Sequence, residues 1–203
     1  EADIGIAMGL KGTDVTKGVA DFILADDNFS SIVEAVYQGR GIYDNIRKSV
    51  RYLLSSNFGE IMLMVIAVWL QFPLPLIPLQ ILWVNLVTDG LPALALAMEP
   101  PHAGLMREKP RKRQAGIFSN GLGAKIALRG LLIGAICFAL FLYGIYITED
   151  IATARTMAFN GLVLSQLFYV FDCRSEKGVL WGKAFFGNPF LLVTVALSLV
   201  VQW

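Results

Sequence analysis

Two carboxylates that lie within strongly apolar stretches, Glu60 and Asp89, are the residues best placed to carry chemistry in this sequence. Glu60 follows Asn57 by three positions, which puts both side chains on one face of a helix. Thr88 and Asp89 follow Asn85 by three and four positions, which puts these side chains on one helical face in the same way. Together these side chains form an all-oxygen ligand set, which suits a hard cation such as Ca²⁺, or Na⁺ or K⁺.

The stretch that carries Asp89 also contains two residues that disfavour a helix, Gly90 and Pro92. Pro92 has no N–H and displaces the carbonyl four residues earlier, that of Thr88. We therefore expect an unwound turn at this point, which is tolerated at membrane depth only beside protein or a polar cavity. Freed carbonyls of broken membrane helices are one way in which proteins bind ions.

Polar residues in apolar helices also have a simpler interpretation as contacts between helices. Asn160 fits that interpretation, and Gln166, in the middle of a later apolar stretch, fits either one. The cluster around Glu60 and Asp89 favours ion binding, because an ionisable group at bilayer depth is a functional hypothesis by default.

The composition indicates a membrane protein. Of the 203 residues, 56% are hydrophobic and only 16% are charged, and the mean hydropathy is +0.60. Soluble domains carry about 25% charged residues. The hydrophobicity excludes a disordered chain, and two cysteines, Cys137 and Cys173, are too few for a small domain held together by disulfides.

The elements that must position the polar cluster can be read from the pattern of apolar residues. Residues 1–27 predict a strand, a helix and a second strand from a parallel α/β sheet. A helix without Pro from Ser30 to about Trp69 would be roughly 60 Å long, whereas a bilayer core is about 30 Å thick. Its first half is therefore predicted to be a cytosolic stalk. Further apolar stretches cover about 76–98, 122–147 and 154–171, and a shorter run ends at Trp203.

The predicted fold class is mainly α, a polytopic helical membrane domain with a short α/β piece at the N-terminus. Four complete spans and a truncated fifth are expected. The predicted divisions are 1–27 in a cytosolic domain, 28–51 in the stalk and 52–203 in the membrane. Lys and Arg cluster at 40–51, 107–113 and 174–183, so this side, with the N-terminal segment, is expected to face the cytosol. The first and last residues suggest a segment of a longer protein.

The stretch Asn85–Pro92 reads Asn-Leu-Val-Thr-Asp-Gly-Leu-Pro. It is the most specific of several motifs that resemble the type II P-type ATPases, and among them the sarco/endoplasmic-reticulum type of calcium pump, in a bacterial form. The resemblance implies that residues 1–27 end the phosphorylation domain and that the later helices match the family's membrane helices five to nine. The other matching motifs are Ile4–Gly9, Leu24–Phe29, Ser55–Glu60 and Trp83–Asn85.

The resemblance also implies a ligand set for the transported ion. The family's ligands map onto Asn57, Glu60, Asn85, Thr88 and Asp89, and Gln166 stands where the two-site calcium pump has a Glu. A Gln at this position is similar to the plasma-membrane calcium pumps, which resemble one-site enzymes but lack the carboxylate matched by Glu60. The number of Ca²⁺ ions per cycle therefore stays open.

The function implied is ATP-driven Ca²⁺ transport through a phosphorylated Asp that lies upstream of this sequence. ATP and Mg²⁺ would bind outside the segment, so the segment alone is not expected to hydrolyse ATP. The expected partners are the lipid bilayer, here a bacterial cell membrane, and the N-terminal helices and cytosolic domains of the same protein, with no nucleic acid. A Na⁺ or K⁺ pump is the alternative within the family, although such pumps tend to have a carboxylate in place of Asn85. A channel or transporter without ATP chemistry is the alternative outside it.

Overall fold

A computed structural model describes residues 4–102, 104–110, 116–119, 121–174 and 187–202. Two parallel strands, seven α-helices, a π-helical turn and a short 3₁₀ turn make up the regular structure of these residues. The chain divides into two compact units, Glu1–Tyr43 with Pro101–Lys109, and Asp44–Pro100 with Pro110–Trp203. The elements are β1 (Ile6–Met8), α1 (Asp14–Val19), β2 (Phe22–Leu24), α2 (Ser30–Trp69), α3 (Pro78–Trp83), the π-helical turn (Val84–Asp89), α4 (Gly90–Ala97), the 3₁₀ turn (Leu105–Arg107), α5 (Leu122–Thr148), α6 (Ile151–Cys173) and α7 (Pro189–Gln202).

The first unit contains the predicted strand–helix–strand order. β1 and β2 pair in parallel, with Ile6 opposite Phe22, and α1 connects them. The carboxylate of Asp27 accepts the backbone N–H groups of Leu10 and Lys11, both at 2.9 Å. The bond from Leu10 is the largest of the effects that hold the pKa of Asp27 below its ordinary value. These bonds tie the loop after β1 to the loop after β2.

Helix α2 is continuous over 40 residues, as its lack of Pro predicts. Asn28 caps it, because the Asn28 Oδ1 atom accepts the backbone N–H of Ser30 at 3.0 Å. The helix ends before Gln71, whose φ of 60° turns the chain, and Pro73 prevents its continuation.

The second unit packs α2 closely against α5 through small residues. A Cβ added at Gly130 would lie 2.8 Å from the backbone oxygen of Ser55, and one at Gly134 would lie 2.8 Å from that of Gly59. Only glycine at these two positions of α5 permits this approach, which is typical of helix pairs in membranes. The buried apolar side chains around this contact come from several helices and include Leu63, Phe141, Leu162 and Leu191.

The expected unwound turn near Pro92 is not what the structure has. Residues Pro78–Ala97 form one helical path, in which a π-helical turn, Val84–Asp89, separates α3 from α4. A π-helical turn inserts an extra residue into the helix. The helix therefore accommodates Pro92 by widening one turn before it and not by unwinding.

Three helical stretches among the described residues are long and apolar enough to cross a membrane, Ser30–Trp69, Pro78–Ala97 and Leu122–Thr148. Helix α6 has 23 residues, but Arg155, Asn160 and Gln166 make it less apolar. Helix α7 is apolar and has 14 residues. The mainly helical membrane fold is confirmed, while the number of complete spans stays a prediction.

Candidate cation-binding site

Glu60 lies at the centre of a hydrogen-bonded group that joins three helical elements. Its Oε2 atom accepts a hydrogen bond from Asn85 Nδ2, with 3.0 Å between the two atoms. Its Oε1 atom accepts one from Gln166 Nε2, also at 3.0 Å. The side chain of Gln166 is fully buried and that of Glu60 is nearly so. Helix α2, the π-helical turn and α6 thus meet at one carboxylate.

Asp89, the second carboxylate, is held by Tyr52 from the facing helix α2. The Tyr52 hydroxyl lies 3.1 Å from Asp89 Oδ1 and 3.2 Å from the carbonyl oxygen of Thr88. Pro92 has no N–H for that carbonyl, so the tyrosine supplies the donor that the helix lacks. Thr88 and Asp89 are both buried.

The π-helical turn determines which side chains face α2 and α6. Asn85 and Asp89 lie at its second and last positions, and both side chains reach groups on α2. π-Helical turns are uncommon and are found frequently at functional sites. Here the turn places an amide and a carboxylate against the same stretch of α2.

Two oxygen atoms in this group are buried and have no hydrogen-bond partner within the described part of the chain, Asp89 Oδ2 and Gln166 Oε1. A buried acceptor that is left unsatisfied costs about 1–3 kcal/mol. Carboxylate and amide oxygens are ligands of Ca²⁺. The residues present therefore offer oxygen atoms of the kind that a hard cation binds.

Asn57 differs from the other five predicted ligands. Its amide N–H donates to the backbone oxygen of Leu53, one turn earlier in α2, at 2.8 Å. No hydrogen bond in the described residues joins it to Glu60, Asn85 or Gln166. The structure brings Glu60, Asn85 and Gln166 together directly and links Thr88 to Asp89 through Tyr52, but it leaves Asn57 outside both groups.

The described residues contain no group of three or more His, Cys, Asp or Glu side chains placed to hold a metal ion. Within the described residues, a cation at Glu60 and Asp89 would therefore have two carboxylates and would depend on neutral oxygens for the rest of its coordination.

Sequence reasoning missed Tyr52 and Ser56. The sequence pattern assigns Tyr52 no role beyond the first residue of the predicted membrane part, 52–203, yet its hydroxyl contacts Asp89. Ser56 is fully buried one turn after Tyr52, and its hydroxyl interacts with Asp89. Tyr52, Ser56 and Glu60 are spaced by four, so they lie along one helical face, and this spacing was a signal that could have identified both.

Comparison with known proteins places the chain among ion-transporting ATPases. Residues 73–203 match the family described as "Cation transporting ATPase, C-terminus". The chain is 50% identical over its whole length to a calcium-transporting ATPase of Bacillus subtilis, and it covers 23% of that protein. It is 42% identical to calcium-transporting ATPase 1 of Bacillus cereus, with all of the chain and 24% of that protein covered. It is 41% identical to calcium-transporting ATPase 1 of Lactococcus lactis, with 99% of the chain and 23% of that protein covered. The chain thus spans about a quarter of the length of these relatives.

Proposed function

The chain belongs to the cation-transporting P-type ATPases, and we propose that it supplies the membrane cation site of a Ca²⁺ pump. The observation that carries this proposal is the hydrogen-bonded group of Glu60, Asn85 and Gln166 beside Asp89. Glu60, Gln166 and Asp89 are buried, and the helical stretches that carry Glu60, Asn85 and Asp89 are apolar enough to cross a membrane. Relatives named calcium-transporting ATPases support Ca²⁺ as the ion.

In this proposal the oxygens of Glu60, Asp89, Asn85, Thr88, Asn57 and Gln166 bind the ion. Glu60 and Asp89 supply the negative charge, which a divalent cation needs in a dry site. Asn85 and Gln166 hold Glu60 through their amide nitrogens, so that their oxygens are available as neutral ligands. Asn57 would join the ligand set by turning its amide away from Leu53.

The energy would come from ATP through an aspartyl phosphate formed in a part of the protein outside this segment, where ATP and Mg²⁺ would also bind. The segment alone would then hydrolyse no ATP. Residues 1–27 would end the phosphorylation domain, 28–51 would form the stalk, and 52–203 would lie in the membrane. The protein would reside in a bacterial cell membrane with the N-terminal segment in the cytosol, where the remaining helices and domains complete it.

The test is ATP-dependent uptake of ⁴⁵Ca by vesicles that contain the full-length protein. We expect uptake by the unmodified protein and a loss of Ca²⁺ affinity of at least about tenfold in Glu60→Gln and Asp89→Asn, because the charge of the ligands tunes Ca²⁺ binding. Glu34→Gln is a matched control. It makes the same chemical change on the same helix, at an exposed carboxylate that is bonded only to Gln38 among the described residues.

Three results would contradict the proposal. Normal Ca²⁺ affinity and turnover in both site variants would show that these carboxylates are not the site. ATP-dependent uptake of Na⁺ or K⁺, without uptake of Ca²⁺, would identify a monovalent pump. Ca²⁺ flux that continues without ATP hydrolysis would identify a channel or a transporter of another class.

A further inference from the structure

Side chains of α2 and α6 pair with one another from the candidate site toward the end of α6. Ser55 lies five residues before Glu60 on α2, and Tyr169 lies three residues after Gln166 on α6. Their hydroxyls are 2.9 Å apart. The rings of Tyr52 and Tyr169 stack with centroids 6.3 Å apart. These contacts, together with those of Arg51 and Asp172 described next, form what we call the α2–α6 seam.

The seam ends in an ion pair between Arg51 of α2 and Asp172 of α6. Arg51 Nη2 lies 2.6 Å from Asp172 Oδ2, and the two side chains are 6% and 23% exposed. The guanidinium of Arg51 also lies over the ring of Tyr169, 5.7 Å from its centroid. Arg129 of α5 approaches the same Asp172 oxygen at 3.3 Å, but its side chain is 45% exposed.

Burial distinguishes these two ion pairs. The two arginines differ in burial, and an exposed ion pair contributes little to stability, so the contact of Arg129 is expected to matter little. Arg51 is buried and Asp172 is partly buried, and loss of the carboxylate that pairs with a buried guanidinium is strongly unfavourable. The geometry of Arg51 and Asp172 therefore resists any sliding or rotation of α6 against α2.

We propose that Asp172 is a positioning residue for cation binding, which acts through Arg51 to keep Gln166 in register with Glu60. Asp172 lies six residues after Gln166 on the same helix, about 9 Å along its axis. A shift of α6 by a fraction of one turn would break the 3.0 Å bond from Gln166 to Glu60. The inference rests on the proposed function, since it assigns a role at the same cation site.

The test compares the Ca²⁺ dependence of phosphorylation from ATP in full-length variants. Asp172→Asn removes the charge and keeps the size of the side chain. We expect the Ca²⁺ concentration for half-maximal phosphorylation to rise at least about fivefold, the lower end of typical coupling between sites, with the maximal level unchanged. Arg51→Gln should act similarly, and the two changes together should have less effect than the product of their separate effects.

Arg129→Gln is the matched control, because it removes the other cation from the same carboxylate and should leave the Ca²⁺ dependence unchanged. Asp172→Glu keeps the charge and should stay close to normal, which gives a readable variant if Asp172→Asn fails to fold. A variant that melts at lower temperature with normal Ca²⁺ dependence would show a purely structural role and overturn the inference. An equal shift in Arg129→Gln would overturn it as well.

The two proposals fail in different ways. Absence of Ca²⁺-dependent phosphorylation in the unmodified protein would overturn the proposed function and this inference with it. An unmodified protein that responds to Ca²⁺, together with Asp172→Asn protein of the same Ca²⁺ dependence, would overturn this inference alone.

Discussion

Replacement of Gln166 by Glu tests how the charge of the site sets the number of ions. The Gln166 amide donates to Glu60 Oε1 at 3.0 Å from a fully buried position. In the variant a carboxylate faces a carboxylate at this distance. At an effective dielectric constant of about 20, two like charges so close repel by about 5.5 kcal/mol. A divalent cation between them removes that repulsion and adds attraction to both.

The expected result for Gln166→Glu is a higher Ca²⁺ affinity or a second bound ion. With Glu60 and Asp89 as the carboxylates of this segment, one Ca²⁺ per cycle is expected for the unmodified protein, because unneutralised charge in a buried site is costly. The measurement is bound ⁴⁵Ca per phosphorylatable enzyme, together with the Ca²⁺ concentration for half-maximal phosphorylation.

Gln80→Glu is the matched control for this change. Gln80 Oε1 accepts the backbone N–H of Ile77 at the start of α3, a role in which Glu and Gln are interchangeable. Its Ca²⁺ dependence should be that of the unmodified protein. Two ions bound by the unmodified protein, or a weaker affinity in Gln166→Glu, would refute the reasoning. The second result would mean that the N–H donated to Glu60 matters more than the added charge.

Three further substitutions test the supports of the site. Tyr52→Phe removes the one hydroxyl proton that the buried acceptors on Thr88 and Asp89 share. The melting temperature of the purified protein should therefore fall by an amount equivalent to about 1–3 kcal/mol. Ile46→Pro breaks α2 at a cost of about 3 kcal/mol, so the ratio of ⁴⁵Ca transported to ATP hydrolysed should fall. An unchanged ratio would show that the coupling of ATP hydrolysis to ion transport does not run along this helix. Gly130→Val places a side chain where α2 and α5 touch, so the free energy of unfolding should fall by about 1–3 kcal/mol. An unchanged melting curve would contradict the close packing described.

The ends of the helices could be predicted from the sequence because individual residues determine where a helix begins and stops. Asn28 caps α2 and Pro73 prevents its continuation, and both effects act within a few residues. The strand–helix–strand order of residues 6–24 could be predicted from equally local signals, since Gly ends the first apolar run and Asp ends the second. Signals of this range are visible without knowledge of the partners in space.

The shape of the segment around Asp89 could not be predicted in the same way. Pro92 indicated a disturbed helix, but the choice between an unwound turn and a π-helical turn depends on the neighbours. Tyr52 supplies the donor for the carbonyl of Thr88, and this contact spans 36 positions in sequence. The role of Tyr52 was missed for the same reason, because an aromatic residue at the start of an apolar stretch is ordinarily a packing residue.

Gln166 shows why a neutral amide can be useful at a cation site. A carboxylate offers only acceptors, whereas an amide has a donor and an acceptor on one group. Gln166 uses its nitrogen to hold Glu60, and its oxygen has no partner in the described residues. One side chain can thus position a charged ligand and serve as a neutral ligand itself. A Glu at this position would add negative charge, which favours cation binding, but it would lose the bond that positions Glu60. The residue at position 166 therefore affects cation binding in two opposite ways, through the charge of the site and through its geometry.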